Sequence, residues 1–224
     1  MTSIHDSIAE ILAHNPNFGS VIQRFEIHTD QSYKLPLQEA LQGLDENFIL
    51  NILHLFESKK PYPIENFEHL SIEHILMYLQ RTHQYYLEKR LPELENSILN
   101  ICNEEEPESI LRALLASFYK DFKHDLCKHI SLEERELFPY IKQVISGENP
   151  TNHVLDSFAN HHDDHSEQQL LELIRVLHTI YPDTQTLTPV SILKTQLAGF
   201  EKDLEIHAFF EDEILIPKVL NNIK

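Results

Sequence analysis

The sequence predicts an all-α protein, a four-helix up-down-up-down bundle with a small helical domain before it. Three observations carry this prediction. Only four glycines occur in 224 residues, too few for the turns of β-hairpins, phosphate-binding loops or a doubly wound sheet. Four long segments repeat their apolar residues with the 3.6-residue period of a helix. The stretches NEEEPE, SGENPTN and YPDTQTLTP separate those segments, as short connections between antiparallel helices should.

In chain order, residues 1–58 read as short helices: Thr2 to Ala13, Asn17 to Phe25, a turn through Asp30–Lys34, Pro36–Leu41 closed by Gly43, and Asp45–Phe56. SKKPYPIEN then breaks the pattern with two prolines and a basic pair. The expected division is a small helical domain at 1–58, a linker at 59–63 and the bundle at 64–224. Within the bundle the long helices are predicted over about Ser71–Cys102, Pro107–Ile145, Thr151–Ile180 and Pro189–Asn221.

Charge and composition narrow the function. With 18 Lys+Arg against 36 Asp+Glu the formal charge is −18, so the clustered cations needed to neutralise phosphates or bind an anionic membrane surface are missing. The first sixteen residues lack a signal-peptide pattern, and nowhere do eighteen apolar residues run together. Cys102 and Cys127 are the only cysteines and form no CxxC pair. A soluble, cytoplasmic protein in a reducing compartment is expected.

The chemistry is carried by histidine and glutamate. Fifteen His and 25 Glu give about 1.7 chance matches to H-x-x-x-E, so a single match means little. Three occur: His69/Glu73, His129/Glu133 and His207/Glu211. The last two lie inside an internal repeat, FKHDLCKHISLEERELFP at 122–139 and FEKDLEIHAFFEDEILIP at 200–217, with seven identities in eighteen positions. Helical phase puts them in apolar stripes, Phe122, Leu126, His129, Glu133, Leu137 and Phe200, Leu204, His207, Glu211, Leu215. A glutamate in a core stripe costs several kcal/mol unless it is paired or metal-bound, and neither stripe contains a lysine. One helical turn brings both side chains of a pair to the same ion, and a carboxylate can bridge two ions where an imidazole cannot.

The other two bundle helices should add histidines. His83 shares a face with Ile72, Leu76, Leu79, Tyr86 and Leu94, whereas His69 and His74 are out of phase. The third helix offers His161, His162 and His165 in HHDDHS, with ambiguous phase that a helical bulge would resolve. Four His and two Glu are enough to hold two ions with shared carboxylates and a bridging oxygen. Imidazole with carboxylate and no thiolate suits iron, manganese or zinc, and open positions on a redox-capable ion favour iron. Asp125 and Asp203, one turn before each histidine, read as surface acids or as acceptors for an imidazole N–H. Pro139 and Pro217, six residues after each glutamate, loosen the helix just beyond the site. Cys127 is read as packing, and His178 as a buried structural histidine.

The segments THQYYLEKRLPELE, DLCKHISLEERELFPYI, FANHHDDHSEQ and FEKDLEIHAFFEDEILIPKVL resemble the helix signatures of the hemerythrin-like domain, specifically that of the repair-of-iron-centres di-iron proteins, over about residues 64–221. The resemblance implies a four-helix bundle holding two iron ions, bridged by oxygen and carboxylates, on His83, His129, Glu133, His162, His207 and Glu211. His161 and His165 instead of His162 would resemble the hemerythrins proper. FGSVIQRFEI and LPLQEALQGLDENFILNIL resemble the family's short N-terminal domain, except that HTDQSY stands where that domain usually has adjacent cysteines. The implied role is binding of nitric oxide, oxygen or peroxide in iron–sulfur cluster repair or the nitrosative and oxidative stress response. The alternative is a non-catalytic module that binds or senses oxygen, nitric oxide or iron, and whether the chain is an enzyme is left open. Expected partners are a small diatomic ligand or peroxide and iron–sulfur proteins, with neither nucleic acid nor membrane, in a monomer or homodimer. Since every candidate ligand lies beyond the linker, removing residues 1–58 is expected to leave metal loading intact.

Overall fold

The computed structural model describes residues 2–27, 33–41, 44–103, 109–148, 154–155, 166–182 and 188–222. Among them the chain is helical, with one isolated antiparallel bridge between Ser7 and Pro36 and no further β-structure. Its internal contacts group into two units, Met1–Tyr85 with Ile206–Pro217, and Tyr86–Glu205 with Lys218–Lys224. This grouping cuts through the long helices rather than at residues 59–63.

In the first unit, α1 covers Ile8–His14 rather than beginning at Thr2. Ser7 sets the boundary: its hydroxyl accepts the Glu10 N–H while the Glu10 carboxylate accepts the Ser7 N–H at 2.9 Å. Such a capping box satisfies two N–H groups that an earlier start would leave inside the helix. α2 (Phe18–Arg24) and α3 (Leu37–Ala40) match their expected positions to within a residue at each end, while Gly43 lies outside the described residues. α4 (Glu46–Glu57) starts where the Asp45 carboxylate accepts the Phe48 N–H at 3.0 Å.

The segment after α4 is held in place. Tyr62 is buried and meets the Phe209 ring edge-on, with centroids 5.0 Å apart. A single 3-10 turn, Ile64–Asn66, leads to α5 (Ile72–Tyr85). The core is aromatic: Tyr78 of α5 packs on Phe25, Phe48 and Phe210 at 6.2, 5.6 and 4.5 Å between ring centroids. Arg24, nearly fully buried, lies over the Tyr78 and Tyr85 rings at 5.4 and 5.1 Å and donates to the Tyr78 hydroxyl.

The second unit carries most of the long-helix residues that are described. A π-helical turn at Tyr86–Arg90 joins α5 to α6 (Leu91–Cys102). α7 (Ser109–Leu132) passes through a π turn at Glu133–Leu137 into α8 (Phe138–Ile145). α9 spans Ser166–Ile180, and α10 (Thr188–Phe209) runs through a third π turn, Phe210–Leu215, into α11 (Ile216–Asn222). Within this unit Phe200 meets Phe122 edge-on at 5.6 Å and Tyr86 at 4.9 Å. α6 is fastened to α7 by Tyr119, whose hydroxyl donates to Glu95 at 2.9 Å and lies 3.1 Å from the Leu91 carbonyl. Among the described residues no helix is long and apolar enough to cross a membrane.

Candidate metal centre

α5 places His83 in the core because Ile72, Leu76 and Leu79 occupy the same stripe, and His83 is 2% exposed. His69 and His74, out of phase, are exposed. α10 likewise buries His207, and Glu211 one turn later is 1% exposed. In the first unit these three side chains come together. The Nε2 atoms of His83 and His207 stand 3.0 Å apart, with ring planes inclined by 37°. His207 Nδ1 lies 3.3 Å from a Glu211 carboxylate oxygen. One donor atom from each residue lies within 4.8 Å of the others.

In the second unit the other half of the internal repeat forms the matching pair. His129 Nε2 is 3.0 Å from a Glu133 carboxylate oxygen, and Glu133 is fully buried while the His129 side chain is 15% exposed. Both H-x-x-x-E pairs thus adopt the geometry their spacing implies, with side chains one turn apart meeting on one helix face. His161, His162 and His165 lie outside the described residues, as does the bulge expected beside them.

Several neighbouring side chains depart from expectation or sharpen it. Asp125 is a surface acid that accepts from the Gln169 amide at 2.9 Å. Asp203 is fully buried and accepts from the Tyr86 hydroxyl at 3.3 Å. His178 is exposed instead of buried, its Nδ1 3.4 Å from Lys194 Nζ, because it sits just beyond the Leu170, Leu173, Leu177 stripe. The Tyr86–Asp203 pair escapes sequence reasoning: each residue was visible in a stripe or one turn from a histidine, but nothing in the spacing pairs them.

The donor set fits a hard or borderline cation. In the first unit two imidazoles and a carboxylate meet in a buried place with no thiolate among them, and a buried carboxylate is stable only with positive charge or strong donors beside it. The His83 and His207 Nε2 atoms at 3.0 Å have either one shared proton or one ion between them, since two lone pairs cannot face each other at that distance. The class this defines is a helical-bundle protein with a buried histidine–glutamate cluster able to hold a metal.

The family follows from comparison. The model of the Hemerythrin HHE cation binding domain matches residues 78–219, and the chain belongs to that family. It is also similar to the iron-sulfur cluster repair protein ScdA of Staphylococcus epidermidis, 21% identical over 98% of this chain and 100% of the relative. The protein of that name from Staphylococcus haemolyticus is 20% identical over 94% of this chain and 96% of its own length.

Proposed function

We propose that this chain is a cytoplasmic non-haem di-iron protein that binds nitric oxide, oxygen or peroxide and acts in iron–sulfur cluster repair under nitrosative or oxidative stress. The observation that carries the reading is the buried convergence of His83, His207 and Glu211, matched by the His129–Glu133 pair of the second repeat copy. The near full-length similarity to relatives named for cluster repair supports the process.

In this reading His83, His129, His162 and His207 would hold the iron with imidazole nitrogens, and Glu133 and Glu211 would supply the carboxylates. Bound iron would supply redox equivalents and an open coordination position for a small ligand. The protein residues do the rest. Glu133 and Glu211 are both buried, and the buried Tyr78 and Phe210 rings pack 4.5 Å apart beside the Glu211 segment. The Tyr86 hydroxyl donates a hydrogen bond to Asp203 and so holds that side chain in place one turn before His207. HTDQSY offers no thiol for handling iron or electrons, so the repair chemistry is assigned to the bundle.

Titration of protein purified without oxygen tests the reading. Nitric oxide or peroxide should change the visible spectrum in proportion to bound iron, and the loaded protein should restore activity to a nitrosatively damaged iron–sulfur enzyme. Reversible ligand binding without restoration would favour the binding or sensing module instead. A spectrum unmoved by either ligand would overturn both.

A further inference from the structure

We propose that Pro139 and Pro217 are positioning residues for the carboxylates of Glu133 and Glu211, acting through the wide helical turn that precedes each proline. The inference rests on the reading of those glutamates as metal ligands. In an ordinary helix each carbonyl accepts from the N–H four residues on. Here the Glu133 carbonyl accepts from Phe138 and the Glu211 carbonyl from Ile216, both five residues on. The backbone of each candidate bridging glutamate is therefore the acceptor of a π-type bond.

Proline explains where these turns fall. Pro139 has no N–H to offer the Arg135 carbonyl, and its ring excludes that carbonyl from a tight turn; Pro217 stands in the same relation to Glu213. The residue before each proline then reaches back one position further. A third π turn, Tyr86–Arg90, precedes Leu91 and Pro92 on the helix that carries His83. Among the described residues every π turn is followed by a proline as the second residue of the next helix.

Register shows what the wide turn achieves. At about 100° per residue a regular helix would carry Leu137 about 80° and Ile141 about 120° around from His129, yet Glu133, Leu137 and Ile141 are all buried. Leu215 would likewise stand about 80° from His207, and both are buried. The extra residue in each wide turn takes back most of that rotation. Without it Leu137 and Leu215 would stand at the edge of the stripe that the His–Glu pairs occupy, and Ile141 would lie beyond it. Bulges of this kind mark functional sites more often than regular helix does.

The test uses the full chain with Pro139→Ala and Pro217→Ala made separately, measured by melting of the metal-free protein and by anaerobic ferrous iron binding in competition with a chelator. Alanine restores a helical N–H and removes the ring clash, so each metal-free variant should melt at or above the wild-type temperature. Iron affinity should fall roughly tenfold to a hundredfold, the range seen when the supports of metal ligands are removed. Opposite effects on melting and affinity are not expected of a merely structural proline. Unchanged affinity in both variants, with a wild type that binds iron, would overturn the inference and leave the metal-site reading intact. Loss of helical circular dichroism in both variants would equally count against it. A wild type that binds no iron would overturn the underlying reading itself.

Discussion

Replacing Phe48 by alanine tests whether the small N-terminal helices stabilise the ligand-bearing segments. Phe48 lies on α4, is 4% exposed and packs its ring on Phe25, Tyr78 and Phe210 at 6.1, 5.6 and 6.1 Å between centroids. Tyr78 is on the helix of His83, and Phe210 immediately precedes Glu211. Removing a buried phenyl ring costs about 3–5 kcal/mol through lost transfer energy and the cavity left behind. For a chain of this size each kcal/mol moves the melting temperature by about 2–4 °C, so Phe48→Ala should melt about 6–20 °C lower. Phe48→Leu, which keeps most of the volume, should recover most of that loss. The assay is thermal melting followed by circular dichroism, paired with the rate at which a chelator strips bound iron. Iron should leave the alanine variant faster, and removal of residues 1–58 should weaken loading further, contrary to the expectation from sequence. A melting temperature within about 2 °C of wild type, or an unchanged stripping rate, would show that the aromatic cluster does not couple α4 to the site.

Glu133→Ala and Glu211→Ala should each abolish loading of two ions while leaving the helical content intact, as read by metal analysis and circular dichroism; a variant that still holds two irons refutes the bridging role. Arg24→Lys should lower stability by about 1–2 kcal/mol in urea unfolding, because a compact ammonium loses the planar stacking over Tyr78 and Tyr85, and a melt unchanged from wild type would contradict it. Tyr119 and Lys123 hold the Glu95 carboxyl below its usual value by hydrogen bonding. A depressed folded pKa gives stability that is present above the unfolded value and lost as pH falls through the folded one. Glu95→Gln should therefore flatten the loss of stability below about pH 4.3. The effect should stay under about 1 kcal/mol, since the Glu95 side chain is 45% exposed. Equal acid sensitivity in the variant, measured by urea midpoints across that range, would refute the assignment.

Much of the fold was legible because periodicity and punctuation agree. Glycine scarcity argued against sheets, and among the described residues the long helices fall where the apolar stripes run. Local capping decided the one clear boundary error: Ser7 and Glu10 reciprocate, so α1 begins at Ile8 and not near Thr2. At the site, the internal repeat singled out His129, Glu133, His207 and Glu211, and helical phase singled out His83. The π turns at Glu133 and Phe210 were not legible, because a helical wheel assumes constant rotation per residue, and Pro139 and Pro217 were read as loosening the helix just beyond the site, not as widening the turn that holds each glutamate. The burial of Asp203 was missed for a related reason: its neighbours in sequence do not reveal that the Tyr86 hydroxyl satisfies it. His178 was read as buried, whereas it and the next two residues lie on helix surface that faces water.

The most direct measurement is metal content and visible spectrum of the full chain purified without oxygen. About two irons per chain, with an absorption band that changes on exposure to oxygen or nitric oxide, is the expected result. A chain that is folded, melts cooperatively and carries Glu133 and Glu211 in its interior with no bound metal would contradict it.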